Sequence, residues 1–304
     1  MIYLLLYIVL TSLSCVIIKL FAMQYSGDSL LLLSVFYAII FFHIINFRKI
    51  ITVYKVLMQT KILYFTLMLS IALIWGLTFV GSIFISPTFL SFVIMLIGVV
   101  FAMAFEYKKT TTKLNFFSLL LVVCLFILFM GHLYSSYNGA SFGLMLTMII
   151  LIGGADYVYS SSCYAILKDK KLSATQVLAA RFWLLLIVSL CYMIYDGESM
   201  LVMKNINFML IGSSFMVALA SFIIPIFLYQ KAIYAVGVNL SMTISGVIPL
   251  MTFLFEKYMT SDSKYTNNSL LYFAIALFLI VCFSKINLLK RYIKALFSLL
   301  YCKH

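Results

Sequence analysis

Apolar runs of about 20 residues recur along the whole chain, and at about 1.5 Å of helical rise per residue each is long enough to cross a hydrocarbon core about 30 Å thick. Hydropathy places them at 2–22, 29–47, 62–85, 88–107 and 114–133, then at 143–167, 176–195, 208–230, 239–255 and 269–289. Inside a bilayer every backbone N–H and C=O must be satisfied within its own segment, so ten such runs predict ten transmembrane α-helices. Composition agrees: 65% of the 304 residues are hydrophobic and 10% are charged, against about 45–50% and about 25% in soluble domains. With 3 prolines and no linker-like stretch, the runs predict one membrane domain. The first run lacks a basic leader and a small-residue cleavage site, so it is expected to be retained as a span.

The formal net charge of +13 sits in the connections between spans rather than on a recognition face, which argues against a nucleic-acid partner. With the N-terminus in the cytoplasm, 16 Lys and Arg fall on the inner side and only Lys204, Lys257 and Lys264 on the outer. The positive-inside rule then puts both termini in the cytoplasm, in a bacterial inner membrane by expectation. Residues 290–304 set Lys290, Arg291 and Lys294 among Ile293, Leu296, Phe297 and Leu300, a basic amphipathic tail suited to anionic lipid. Five of the 6 cysteines lie in the runs and none forms a C-x-x-C pair, so no disulfide framework, metal site or redox cofactor is expected.

The chain can be laid over itself at shifts of 147 to 150 residues. Ser12 and Cys15 then meet Ser160 and Cys163, Ser26 meets Ser173, Ser34 meets Arg181, and Leu90, Ser91 and Glu106 meet Leu240, Ser241 and Glu256. Five spans per half is an odd number, so the halves at 1–135 and 136–289 enter the membrane in opposite senses. Inverted repeats of this kind build two bundles about a pseudo-twofold axis with a substrate site near the midplane.

The Pro249-containing run from Gly246 to Glu256 and the Ala180-Arg181-Phe182 triplet, set within ten spans, resemble the EamA-like branch of the drug/metabolite transporter superfamily. The first half departs from that pattern, with Val99 where the second half has Pro249 and Ser34 where it has Arg181. The resemblance implies a carrier for amino acids, metabolites, toxic compounds or nucleotide sugars, without naming one.

Asp156 is the sharpest single signal, because a charge near the middle of a span costs at least about 2.5–3.5 kcal/mol on insertion scales. Asp156, Tyr159, Ser160 and Cys163 share a helix face, and Ser12, Cys15 and Lys19 form a corresponding stripe on the first span. Side chains lean toward their own helix N-terminus, which predicts that Lys19 and Asp156 approach each other beside the cavity. They serve there as substrate or proton groups, or as a structural ion pair. Arg181 is expected to lean toward the cytoplasm as an anchor. Glu106, Glu256 and Pro249 are read as gating or structural groups, and His43 as structural. Trp75, Tyr157, Tyr159, Trp183 and Tyr229 are candidates for an aromatic cage around an apolar or cationic substrate.

The sequence therefore predicts a secondary carrier working by alternating access, an exporter by expectation, with no enzymatic activity. Its coupling is to protons or to substrate exchange, since no Walker motif is present. Its partners are a small molecule and lipid, and a homodimer is compatible. Two rivals are a ligand-binding receptor or immunity protein without transport, and an intramembrane protease suggested by the GGAD at 153–156 and YD at 195–196. The latter lacks the second Gly of G-x-G-D and has its two motifs in reversed order.

Overall fold

The computed structural model describes residues 1–25, 27–110, 113–136, 139–170, 172–196, 208–259 and 268–285. Every element among them is helical: α1 (Ile2–Ala22), α2 (Gly27–Ile45), α3 (Ile50–Met58), α4 (Lys61–Phe84), α5 (Pro87–Thr110), α6 (Lys113–Ser136) and α7 (Gly139–Asp169). There follow α8 (Ala174–Ala180), α9 (Trp183–Asp196), α10 (Phe208–Val217), a π-helical turn π1 (Ala218–Ile223), α11 (Ile224–Val236), α12 (Val238–Ser245), α13 (Ile248–Met259) and α14 (Asn268–Ser284). Eight stretches of the described residues are long and apolar enough to cross a membrane, and a ninth apolar helix, Ser269–Ser284, is shorter. The chain is a multi-pass helical membrane protein. The basic tail expected at 290–304 lies outside the described residues, as does Ser26.

The solvation pattern is that of a protein dissolved in lipid. Large apolar side chains point outward, Ile62 at 83% exposure and Phe208 at 87%, while Ser12, Ser34, Ser160, Ser214, Thr243 and Thr252 are fully enclosed. Between helices surrounded by lipid tails, small hydroxyl residues allow close approach and add hydrogen bonds that apolar contact alone does not supply. Several hydroxyls are also satisfied within their own helix, for example Ser70 on the Thr66 carbonyl at 2.7 Å and Ser189 on the Leu185 carbonyl at 2.8 Å. Gly153 brings α7 so close to α5 that a Cβ there would collide with the Ile97 side chain.

Three of the spanning stretches are interrupted, which hydropathy did not indicate. The run at 176–195 breaks at Arg181 and Phe182 between α8 and α9. The run at 239–255 breaks at Gly246 and Val247, where Pro249 near the start of α13 cannot donate back to the preceding turn. The run from 208 passes through π1 just before Pro225 and continues to Val236, beyond its expected end. A single residue, Gly237 at φ +86°, links α11 to α12, a left-handed conformation that disfavours any side chain. The connection at 48–61, read as a loop, contains helix α3, whose Val53 and Leu57 pack inward.

Helix α1 packs on α11 and α13, and α7 packs on α4 and α5. Helix α2 lies against α10, and α9 against α4; α5 also meets α12 and α13, and α6 meets α14. Helices α1, α4, α5, α7 and α11 thereby surround the centre of the bundle.

Candidate functional site

At that centre is a narrow cavity of about 80 Å³, room for several waters. Helix α1 lines it with Tyr7, Thr11, Ser14, Cys15 and Ile18, one face at helical spacing. Helix α4 adds Ile71, Ile74, Trp75 and Thr78; α5 adds Ser91, Ile94 and Met95; α7 adds Asp156 and Tyr159; and π1 with α11 adds Ser221, Ile226 and Tyr229. Both halves of the chain contribute.

The wall is mostly apolar, with aromatic rings and a few polar groups at fixed positions. Tyr229 stacks on Tyr7 with ring centroids 4.4 Å apart and lies 6.4 Å from Tyr159, both of those rings being within 24° of parallel to it. A hydrogen bond of 2.8 Å between the Ser160 and Tyr229 hydroxyls fixes this ladder, and one of 2.7 Å between Ser14 and Ser221 ties α1 to the π turn. Trp75 rests against Phe222 at 4.5 Å and Phe79 at 6.4 Å. Asp156 is the one acidic residue on the cavity wall, next to Gly98, where an added Cβ would lie 3.5 Å from its carboxyl oxygen. Among the described residues Asp156 has neither a hydrogen bond nor an ion pair. An acid inside a membrane bundle is costly to keep, which makes Asp156 the leading candidate residue of this cavity.

The expected Lys19–Asp156 pair is not formed. Lys19, in the last turn of α1, faces Glu256 of α13 electrostatically. Glu256 is 2% exposed and accepts hydrogen bonds from the Thr88 backbone N–H at 3.0 Å and from the Thr88 hydroxyl. Thr88 stands in the first turn of α5, where free N–H groups and the helix dipole favour an anion. Lys19 sits at the end of its span, so its reach ends at this cluster and falls short of Asp156 at mid-span. Lys19, Glu256 and Thr88 thus tie the end of α1 to α13 and to the start of α5, next in the chain to Ile18 of the cavity wall.

A second cluster adjoins the cavity at Tyr159. Arg181 is 0% exposed and its Nη1 donates to the Tyr159 hydroxyl oxygen. Its guanidinium also lies 5.2 Å from the Tyr159 ring centre and 4.4 Å from that of Phe182. Gln230 Nε2 donates to the same Tyr159 oxygen at 3.3 Å, and the Cys163 thiol adjoins both. Arg181 Nε and Nη2 and Gln230 Oε1 have no hydrogen-bond partner among the described residues. Arg181 is thus an enclosed cation without a carboxylate, not the interfacial anchor its sequence position suggested.

Beyond this layer opens a vestibule of about 980 Å³ lined by Arg48, Lys49, Lys168, Lys231, Asn46, Ser173, Thr175, Gln176, Gln230 and Tyr234, with no acidic residue on its described wall. A capping box starts α8 at its rim, Ser173 Oγ accepting from Gln176 N and Gln176 Oε1 from Ser173 N at 2.8 Å. Asn46 Nδ2 donates to the Thr175 carbonyl at 3.0 Å and joins the end of α2 to it.

The remaining sequence candidates are placed elsewhere. Ser12 donates to the Ile8 and Ile248 carbonyls and binds α1 to α13, away from the cavity wall. Pro249 shapes the α12–α13 break, and Glu106 pairs with Lys285. Tyr157 stacks on Phe105 at 4.8 Å, and Trp183 donates to Tyr54, so neither joins the cage. His43 Nδ1 faces the Ile39 carbonyl at 2.8 Å, which requires the Nδ1–H tautomer and leaves Nε2 to accept from Tyr54 at 3.1 Å. Burial pushes the Tyr54 phenol upward, against the hydrogen bond from Trp183, and keeps it a donor to His43. The sequence reading missed Tyr7, Ser14, Ser221 and Gln230. Tyr7 and Ser14 carry a legible signal, lying on the Cys15 helix at i−8 and i−1.

No family model matches the chain, and no curated protein matches it.

Proposed function

We propose that the chain is a secondary carrier that moves a small molecule by alternating access, with its substrate and coupling site around Asp156. The observation that carries this reading is the sequence of compartments along the bundle axis. An acid with no hydrogen bond among the described residues lies on a narrow cavity of about 80 Å³; beyond it on one side the Lys19–Glu256–Thr88 cluster ties α1, α13 and α5 together, and on the other a single hydrogen-bonded layer stands before a wide vestibule. A receptor needs one entrance; a space held between two dissimilar closures suits one that opens on either side in turn.

Packing supports an inverted repeat. Exchanging the halves turns the α1–α11 contact into α7–α4, α1–α13 into α7–α5, and α2–α10 into α9–α4, and all of these contacts are present. On this reading the chain has ten spans, both termini in the cytoplasm and the vestibule facing the cytoplasm, and it belongs with the EamA-like carriers that its Arg181 and Pro249 segments resemble. Coupling runs through Asp156, whose carboxyl group takes a proton or a substrate cation in place of a protein partner.

The test is flux of labelled metabolites in proteoliposomes, compared between the wild-type chain and Asp156→Asn at equal protein incorporation. The carrier reading expects saturable flux and its loss, or its uncoupling from a proton gradient, in the variant. Binding with no flux of any compound would replace it with the receptor reading. Flux unchanged in Asp156→Asn would move the site elsewhere.

A further inference from the structure

The vestibule and the enclosed guanidinium behind it are chemically alike and adjacent. Arg48, Lys49, Lys168 and Lys231 bring four cations to a vestibule wall that holds no acid among the described residues, Asp169 next to Lys168 being exposed and off that wall, and ring contacts such as Lys231 over Phe227 and Arg48 over Phe47 do not neutralise them. Gln230 forms the inner end of that wall and reaches the Tyr159 oxygen on which Arg181 rests. One phenol oxygen therefore stands between the basic vestibule, the Arg181 guanidinium and the central cavity. A neutral phenol is a weak counterpart for a buried guanidinium, whose planar fork of donors matches an oxyanion. Two of its three nitrogens have no acceptor among the described residues.

We propose that Arg181 is the docking point for a compact oxyanion, a carboxylate or phosphate group, which is collected in the vestibule and takes the place of Tyr159 on the guanidinium. Resting on the carrier reading, this makes the cargo an anion-bearing small molecule. The vestibule concentrates it, the Tyr159–Gln230 layer admits it, and Arg181 replaces its lost hydration. Lys19 and Glu256, already matched to each other, are not part of the site. The aromatic wall around Asp156 receives the remainder of the molecule.

The experiment measures the thermal midpoint of the purified full-length protein in phosphatidylcholine nanodiscs against succinate, glycerol 3-phosphate and inorganic phosphate, with succinamide and glycerol as neutral counterparts. A bound ligand raises the midpoint in proportion to the logarithm of its concentration over Kd. At least one of the three anions is expected to raise it while the neutral compounds do not. Arg181→Gln should weaken the response at least tenfold in apparent Kd, and Arg181→Lys should restore part of it. Should Arg181→Gln fail to fold, the surface variant Lys49→Gln/Lys231→Gln serves instead, and a weaker anion response with a shallower salt dependence is expected. Equal responses to anions and neutral compounds, no response to any of the three, or an anion response unaltered in both variants would overturn the proposal. Repeating the titration in phosphatidylglycerol nanodiscs separates the sources: loss of the soluble-anion response there identifies a lipid phosphate as occupant, and its persistence a soluble anion. Anion binding without flux would leave this site standing and remove the carrier reading. Flux of neutral or cationic compounds alone would do the reverse.

Discussion

Replacing Glu256 by Gln tests whether its cluster holds one end of the cavity shut. The carboxylate is 2% exposed and takes both the N–H and the hydroxyl of Thr88, with Lys19 as its electrostatic partner. An amide keeps one acceptor oxygen but no charge, so bonds of the charge-assisted class, about 1.5–3 kcal/mol, fall to the neutral class, about 0.5–1.5 kcal/mol. Loss of an anion from the first turn of α5 removes about 0.3–1 kcal/mol more. Together these come to about 2 kcal/mol, or about 30-fold in the closed-to-open ratio at about 1.4 kcal/mol per factor of ten. Cys15 reports the change directly, since it lines the cavity and is a free thiol. In protein keeping Cys15 alone among its cysteines, a membrane-impermeant thiol reagent supplied from the Glu256 side should label Glu256→Gln up to about 30 times faster than its parent. Lys19→Met added to it should give less than the product of the two single effects, because the pair is already broken. Labelling at the parental rate, or acceleration only from the vestibule side, would refute the assignment of this cluster as a closure.

Other consequences are open to shorter tests. Asp156→Asn and Lys19→Met should act independently in protein-normalised flux, since Lys19 faces Glu256; strong non-additivity would restore the Lys19–Asp156 pair. Gly153→Ala should lower the thermal midpoint by overpacking α5 against α7, a change of about 1–3 kcal/mol, and Ile97→Ala in the same chain should relieve part of it. Tyr64→Phe removes a 2.8 Å bond to the Ala180 carbonyl at the end of α8 and should cost about 1 kcal/mol in stability while loosening Arg181 next to it, seen as a weaker response to anions.

Much of the fold was legible because lipid imposes one rule on every span. Uninterrupted apolar runs gave the helices their places, and Asp156 was legible because a mid-span acid has few structural uses. The breaks were not, since Arg181-Phe182 and Gly246-Val247 interrupt the backbone inside stretches whose mean hydropathy stays that of a span. Pro225 was visible in the sequence, but the π turn before it was not. Lys19 was matched to the wrong acid because its partner is 237 residues away, and only the packing of α1 on α13 brings them together. Ser221 and Gln230 are ordinary residues in an apolar helix. Their importance comes from the side they face, and a span apolar on all sides has no polar stripe to reveal it.

The π turn at Ala218–Ile223 lies between the lipid-facing start of its span and the part that carries Tyr229 and Gln230. A π turn holds one residue more than the α turn it replaces, so tightening it would rotate everything downstream by about 100° and advance it by about 1.5 Å. Tyr229 would leave its stack on Tyr7, and Gln230 would release Tyr159, in one movement. The extra residue is the slack such a turn would take up, and deleting one residue from 218–223 would remove it: a continuous α-helix with Tyr229 and Gln230 still facing the axis and no spare residue with which to turn.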